Sequence, residues 1–262
     1  MRLTLEYDGT DFAGFQLQAP GFRTVQGEME TVIQKLSGQF SRVHGAGRTD
    51  AGVHALGQVA HFETDWGIPI SRLARTLNNA LPEDLVVKAV TVAEPGFHSR
   101  FSATSRTYRY VVLNREAPSA LLGRFAFYLR ASLDLEAMRA ASVFLTGSHD
   151  FAAFGKPSAP GCSTVRSMER FDIRTWKDCV LITVRGNAFL RQQVRSFVGT
   201  LLDVGRGRIS VKDVAVIRDS RDRKNCPPIA PAKGLCLVRV DYTGQRITYD
   251  DSSDNSNCGG TD

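Results

Sequence analysis

Residues 106–114, RTYRYVVLN, alternate as a strand and constrain the fold more than any other stretch. Period two puts Tyr108, Tyr110 and Val112 on one face and Arg109, Val111 and Leu113 on the other. Similar alternation runs through RLTLEY (2–7), GQVAHFE (57–63), LVVKAVTV (85–92) and GLCLVRVDY (234–242). ERFDIRTW and CVLITVRG alternate as well, and their junction at Lys177-Asp178 reads as a hairpin. Val25, Met29, Val32, Ile33 and Leu36 recur at helical spacing, which predicts an amphipathic helix over 25–37 that ends at Gly38. Further helices are expected over 70–80, over 135–145 with Asp134 as N-cap, over 187–204 and over 211–218. RDSRDRKNCPPIAP (218–231) reads as a charged, proline-rich loop, and the polar tail from 244 as disordered. Strands and helices alternate irregularly, so the pattern points to a mixed sheet with helices packed on it.

Charge says more about partners than about fold. The last thirteen residues hold four aspartates and no base, so residues 1–249 carry +10 against +6 for the whole chain. A body that basic favours a polyanionic partner, RNA or DNA first. With 42% hydrophobic residues the chain can bury a real core, yet no apolar run approaches the roughly 18 residues that cross a bilayer. The N-terminus starts on a strand pattern without a signal-peptide core. Cys162, Cys179, Cys226, Cys236 and Cys258 form no C-x-x-C pair, which suits reduced thiols in the cytoplasm and speaks against zinc.

GAGRTDAGVHALGQVAHF (45–62) opens without helical or alternating periodicity and frames Arg48 and Asp50 with Gly47 and Gly52. The glycines do not fit G-x-G-x-x-G, and no Lys-Ser/Thr follows, so nucleotide binding is a poor reading. His44, His54 and His61 lack defined ligand spacing, and no metal site is expected. The absence of H-x-E…P-C-x-x-C removes a zinc base deaminase. Asp50 could cap a turn with Arg48 as its partner. Alternatively, a carboxylate beside arginine is a ready nucleophile or base at neutral pH. Tyr108 could be a core residue or a ring for stacking an unpaired base. In NAFLRQQVRSFVGTLLDV, Leu190, Val194, Phe197, Val198 and Leu201 form a stripe with Arg195 at its border. A half-buried arginine usually has a carboxylate partner, and Asp50 is one candidate.

GAGRTDAGVHALGQVAHFE resembles the catalytic segment of the tRNA pseudouridine synthase A family. EYDGTDFAGFQ, FHSRFSATSRTYRY, NAFLRQQVRSFVGTLLDVG and GLCLVRVDY resemble its other blocks in the same order, spread over residues 6 to 242. The resemblance implies an α+β fold with a mixed, mostly antiparallel central sheet and flanking helices. Two α/β halves, 1–103 and 104–243, would meet at an active-site cleft, with 244–262 as an acidic tail that has no family counterpart. It implies Asp50 as the catalytic nucleophile and Arg48 as the arginine that enters the RNA when the target base flips out. Tyr108 would stack on the uracil, Arg195 would pair with the catalytic carboxylate, and Leu235 would line the base pocket. Phe97, His98, Ser99, Arg100 and Phe101 match a stretch that contacts tRNA. Phe15 departs from the tryptophan of many relatives, a packing change. The implied activity is isomerisation of uridine to pseudouridine at tRNA positions 38, 39 and 40 in the anticodon arm, by a homodimer without cofactor. Two alternatives stand beside it: a non-catalytic RNA chaperone of the same fold, and a pseudouridine synthase acting on another RNA site.

Overall fold

The computed structural model describes residues 1–157, 159 and 161–243, so the acidic tail lies outside the described residues. The described strands are β1 (Arg2–Tyr7), β2 (His44–Gly45), β3 (His54–His61), β4 (Leu85–Thr91), β5 (Ala103–Leu113), β6 (Phe127–Tyr128), β7 (Gly147–Asp150), β8 (Val165–Trp176), β9 (Cys179–Gly186) and β10 (Leu235–Tyr242). They form one mixed, mostly antiparallel sheet in the order β4-β1-β3-β10-β5-β9-β8-β7, with β2 on β3 and β6 on β5. The helices are α1 (Val25–Ser37), α2 (Ile70–Asn78), α3 (Leu135–Val143), α4 (Gln193–Gly205) and α5 (Asp213–Ser220).

Local chemistry explains the ends of α1. The Thr24 side chain accepts from the Gly27 N–H, and Gly38 adopts φ 75° while its N–H donates to Gln34. Val25, Met29, Val32 and Ile33 then bury their side chains in the same core as Leu3, Leu5 and Tyr7 of β1. Each such side chain contributes about 1.5–3 kcal/mol, so the helix is held by its stripe more than by its caps. The Asp134 side chain caps α3 by accepting from the Ala137 N–H. Lys177, at φ 52°, forms the tight turn of the β8–β9 hairpin.

The helix expected from 187 begins at Gln193 instead. Gln192 sits at φ 65°, outside the helical region, and residues 187–192 are tied down from the side. The Asn187 side-chain carbonyl accepts from the Ser167 and Ala188 N–H groups, the Gln193 side chain accepts from the Leu190 N–H, and the Arg191 N–H donates to the Lys156 carbonyl. These contacts compete with the first helical turn and win it. The short helix expected over 211–218 is also displaced, to 213–220, where Ser210 and Asp213 exchange backbone and side-chain hydrogen bonds at its start.

The last strand lies in the middle of the sheet. β10 pairs antiparallel with β5 along its length and parallel with β3 through Cys236 and Leu237 against His54 and Ala55. The strands of residues 2–91 therefore meet those of residues 103–186 only through β10. That seam brings the loop preceding β3 beside the middle of β5. Behind it, the charged loop expected over 218–231 packs against α4 at Gly199, where a Cβ would lie 2.1 Å from the Pro228 carbonyl oxygen. Only glycine admits that approach.

Candidate active site

The loop between β2 and β3 is held from below by polar groups that are themselves buried. Gln58, fully buried on β3, accepts from the Gly47 N–H (3.2 Å) and donates to the Gly47 carbonyl (2.8 Å). The Thr49 hydroxyl bonds the Tyr7 hydroxyl at 2.8 Å, and the Thr49 carbonyl accepts from the Phe15 N–H. The Val53 N–H closes a turn on the Asp50 carbonyl. With Thr49 pinned inward, its two neighbours point the other way: Arg48 is exposed and Asp50 half-buried.

Asp50 Oδ2 receives a hydrogen bond from Arg195 Nη1 at 3.1 Å, across 145 residues of chain. Arg195 is oriented in turn by its Nε donating to the Ala230 carbonyl at 2.8 Å, while its own carbonyl accepts from the Ala230 N–H. The loop packed at Gly199 thus supplies the group that aims the guanidinium. Tyr108, on β5, is 7% exposed, and a Cβ at Gly47 would stand 3.3 Å from its hydroxyl oxygen. The missing side chain at Gly47 is what leaves that hydroxyl room. The Phe189 ring meets the Tyr108 ring edge-on at 5.2 Å. Burial raises the Tyr108 phenol well above its ordinary range, with the nearby Asp50 charge adding to the rise and Arg106 opposing it. Tyr108 is therefore a neutral phenol at physiological pH. Arg48 makes no hydrogen bond or ion pair with any described residue, so its guanidinium is available to a ligand.

The other residues singled out in the sequence divide between this cluster and its surroundings. Leu235 is buried at the start of β10 and stands opposite Tyr110; Leu237, on the same face, stands opposite Tyr108. The 97–101 segment alternates anchors with presented groups. The Ser99 hydroxyl donates to the His44 carbonyl, its N–H donates to His61 Nδ1, and its carbonyl accepts from the Tyr242 hydroxyl. Phe97 packs on Tyr242. His98 lies against Phe101, which is 76% exposed, and Arg100 extends over the same ring.

The three histidines of the 44–61 stretch separate. His44 and His61 stack at 5.0 Å with His98 beside them, and burial with two neighbouring imidazoles pushes His61 down to about 4. His54 instead anchors loops: its Nδ1 accepts from the Gly9 N–H and its Nε2 faces the Arg124 and Lys233 carbonyls. Among the described residues no group of His, Cys, Asp or Glu is placed to hold a metal ion.

Sequence reasoning passed over the groups that hold the site. Gln58 and Thr49 are such groups, and so is Arg106. The signal for Arg106 was present, because period two places 106 on the same face as Tyr108 and Tyr110.

The chain matches the family described as tRNA pseudouridine synthase over residues 4–102 and 141–243. It is similar to the tRNA pseudouridine synthase A of Brevibacillus brevis, at 40% identity over 242 residues, 92% of this chain and 99% of that protein. The protein of the same name from Caulobacter vibrioides is 43% identical over 242 residues, covering 92% and 98%. That of Halalkalibacterium halodurans is 41% identical over 248 residues, covering 94% and 93%.

Proposed function

The chain belongs to the tRNA pseudouridine synthase family, and on that premise we propose that it isomerises uridine to pseudouridine at positions 38, 39 and 40 in the anticodon stem-loop of tRNAs. The observation that carries this reading is the contact of Asp50 with Arg195, beside Tyr108 and an exposed Arg48 that has no partner among the described residues. The two α/β halves, 1–103 and 104–243, join along β10, and the cleft lies at that join.

The reaction breaks C1′–N1, rotates the uracil, forms C1′–C5, and moves the C5 proton away while N1 regains one. It transfers no electron and no external group. Taking a uridine out of its stack costs a few kcal/mol. Arg48 offsets that cost by filling the vacated place and meeting phosphates. Tyr108 stacks on the uracil, and Leu235 contributes to the apolar wall. Asp50 attacks the nucleotide or withdraws a sugar proton. Either route needs a carboxylate aimed by a fixed partner, which Arg195 provides. Tyr108 or a water takes the C5 proton. His98, Arg100 and Phe101 receive the RNA outside the pocket.

The test is release of tritium from unmodified tRNA labelled at uracil C5, in EDTA and without nucleotides. Label is expected to leave with wild-type protein; silence would favour the RNA-chaperone reading. Mapping modified sites in a deletion strain then distinguishes positions 38–40 from another RNA site.

Among the described residues no helix is long and apolar enough to cross a membrane. The free Cys162, Cys179, Cys226 and Cys236 suit work in the reducing cytoplasm. The reading also includes a homodimer. A pocket on the sheet is lined by strand residues alone, including Leu56, Arg109, Asp172, Arg185, Val238 and Arg239. Apolar groups among charges of both signs can meet their own copy across a two-fold axis. Light scattering at micromolar concentration is expected to show a dimer; a stable, fully active monomer would sink this part of the reading.

A further inference from the structure

Arg106 is 7% exposed, and no carboxylate pairs with it among the described residues. A buried guanidinium normally has an acid beside it, because desolvating a charge is costly. Here four main-chain carbonyls take that place. Nη1 donates to Asn187 at 2.7 Å and to Ala103 at 3.2 Å, while Nη2 donates to Arg100 at 2.5 Å and to Ala46 at 3.1 Å. Carbonyl dipoles solvate the cation but leave its charge uncancelled, a balance that favours an approaching polyanion.

The identity of the four carbonyls matters more than their number. Ala46 begins the loop that presents Arg48 and Asp50. Arg100 belongs to the segment that presents His98 and Phe101. Asn187 begins the loop whose Phe189 meets the Tyr108 ring. Ala103 starts β5, and Arg106 itself lies two residues before Tyr108 on the same face. One planar donor set therefore joins three loops around the cleft to the strand that carries the stacking ring.

Resting on the isomerase reading above, we propose that Arg106 is a positioning residue for the isomerisation: its guanidinium locks the Asp50 loop, the 97–101 segment and the 187–192 loop to β5, so that RNA seated on His98 and Phe101 fixes the loop that holds Asp50. Arg106 touches neither the substrate nor the reacting atoms.

Lysine keeps the charge, but a single ammonium cannot reach four carbonyls in a plane. Arg106→Lys should therefore lower the single-turnover rate at saturating enzyme by about 10²-fold, the scale of a small misplacement of reacting groups. The dissociation constant for tRNA should stay within about threefold and the salt slope should be unchanged, since no phosphate contact is lost. Arg106→Met, without charge or donors, should fall further. Ile33→Val, in the core of α1 away from the cleft, serves as the destabilised control, each protein being assayed well below its own melting temperature. If Arg106→Met does not fold, Arg106→Lys decides alone. A lysine variant as fast as the Ile33→Val control overturns the proposal, as does one whose affinity falls while its saturating rate holds. A wild type that releases no label overturns the isomerase reading, and this inference with it.

Discussion

Asp50→Asn is expected to lower the rate of uridine isomerisation by at least about 10³-fold while leaving tRNA binding in place. The substitution keeps the shape of the side chain and an oxygen for the Arg195 Nη1 hydrogen bond. It removes the charge, and with it both the nucleophile and the base. The loop should hold its course, because Gln58 on Gly47 and Tyr7 on Thr49 fix it without help from Asp50. Arg195 also keeps its bond to Ala230. Binding is expected to hold or improve slightly, since one negative charge near a polyanion is gone. Tritium release under single-turnover conditions reads the rate, and filter retention of labelled tRNA reads the affinity. A variant that still turns over at a tenth of the wild-type rate would make Asp50 a structural turn residue.

Arg48→Ala is expected to abolish turnover with only a modest loss of affinity. Arg48 has no partner among the described residues, so its removal leaves no buried group unsatisfied and should not affect folding. Its contribution comes when the base has left the stack and the vacated place must be filled. Most of the affinity should come from phosphate contacts spread over the basic body, so log K should fall steeply with log salt in wild type and variant alike. The measurement pairs single-turnover release with affinity at several salt concentrations. Binding lost as completely as turnover would mean that Arg48 is an anchor.

The elements that the sequence made legible are those whose own periodicity suffices. In α1 the stripe and Gly38 agree, and β5, β8 and β9 alternate over long runs. The start of α4 was misread because the apolar stripe runs on through Leu190, which is buried outside the helix as well. Periodicity reports burial, and backbone hydrogen bonds accepted by the Asn187 and Gln193 side chains decided the backbone. The short β2, β6 and β7 have no independent pattern and exist through their partners. In the candidate site, Arg195 could be placed at a stripe border, but its distance to Asp50 depends on a 145-residue closure that no local signal encodes. The polar group beneath the loop was hidden because a buried Gln58 looks, in a string of letters, like a solvated residue.

The position of β10 sets when the protein can first work. Of the described strands it is made last, yet it separates β3 from β5 in the finished sheet. Until residues 235–242 leave the ribosome, the strand after the Asp50 loop and the Tyr108 strand are not joined through the sheet. At about 5–20 residues per second the N-terminal strands would wait many seconds for that strand. A nascent chain can thus hold Arg48, Asp50, Tyr108 and Arg195 and still lack the strand that joins their two groups of strands, so that emergence of β10 acts as the switch. Loss of the last strand would likewise divide the molecule at its centre, where trimming β4 or β7 would only narrow an edge.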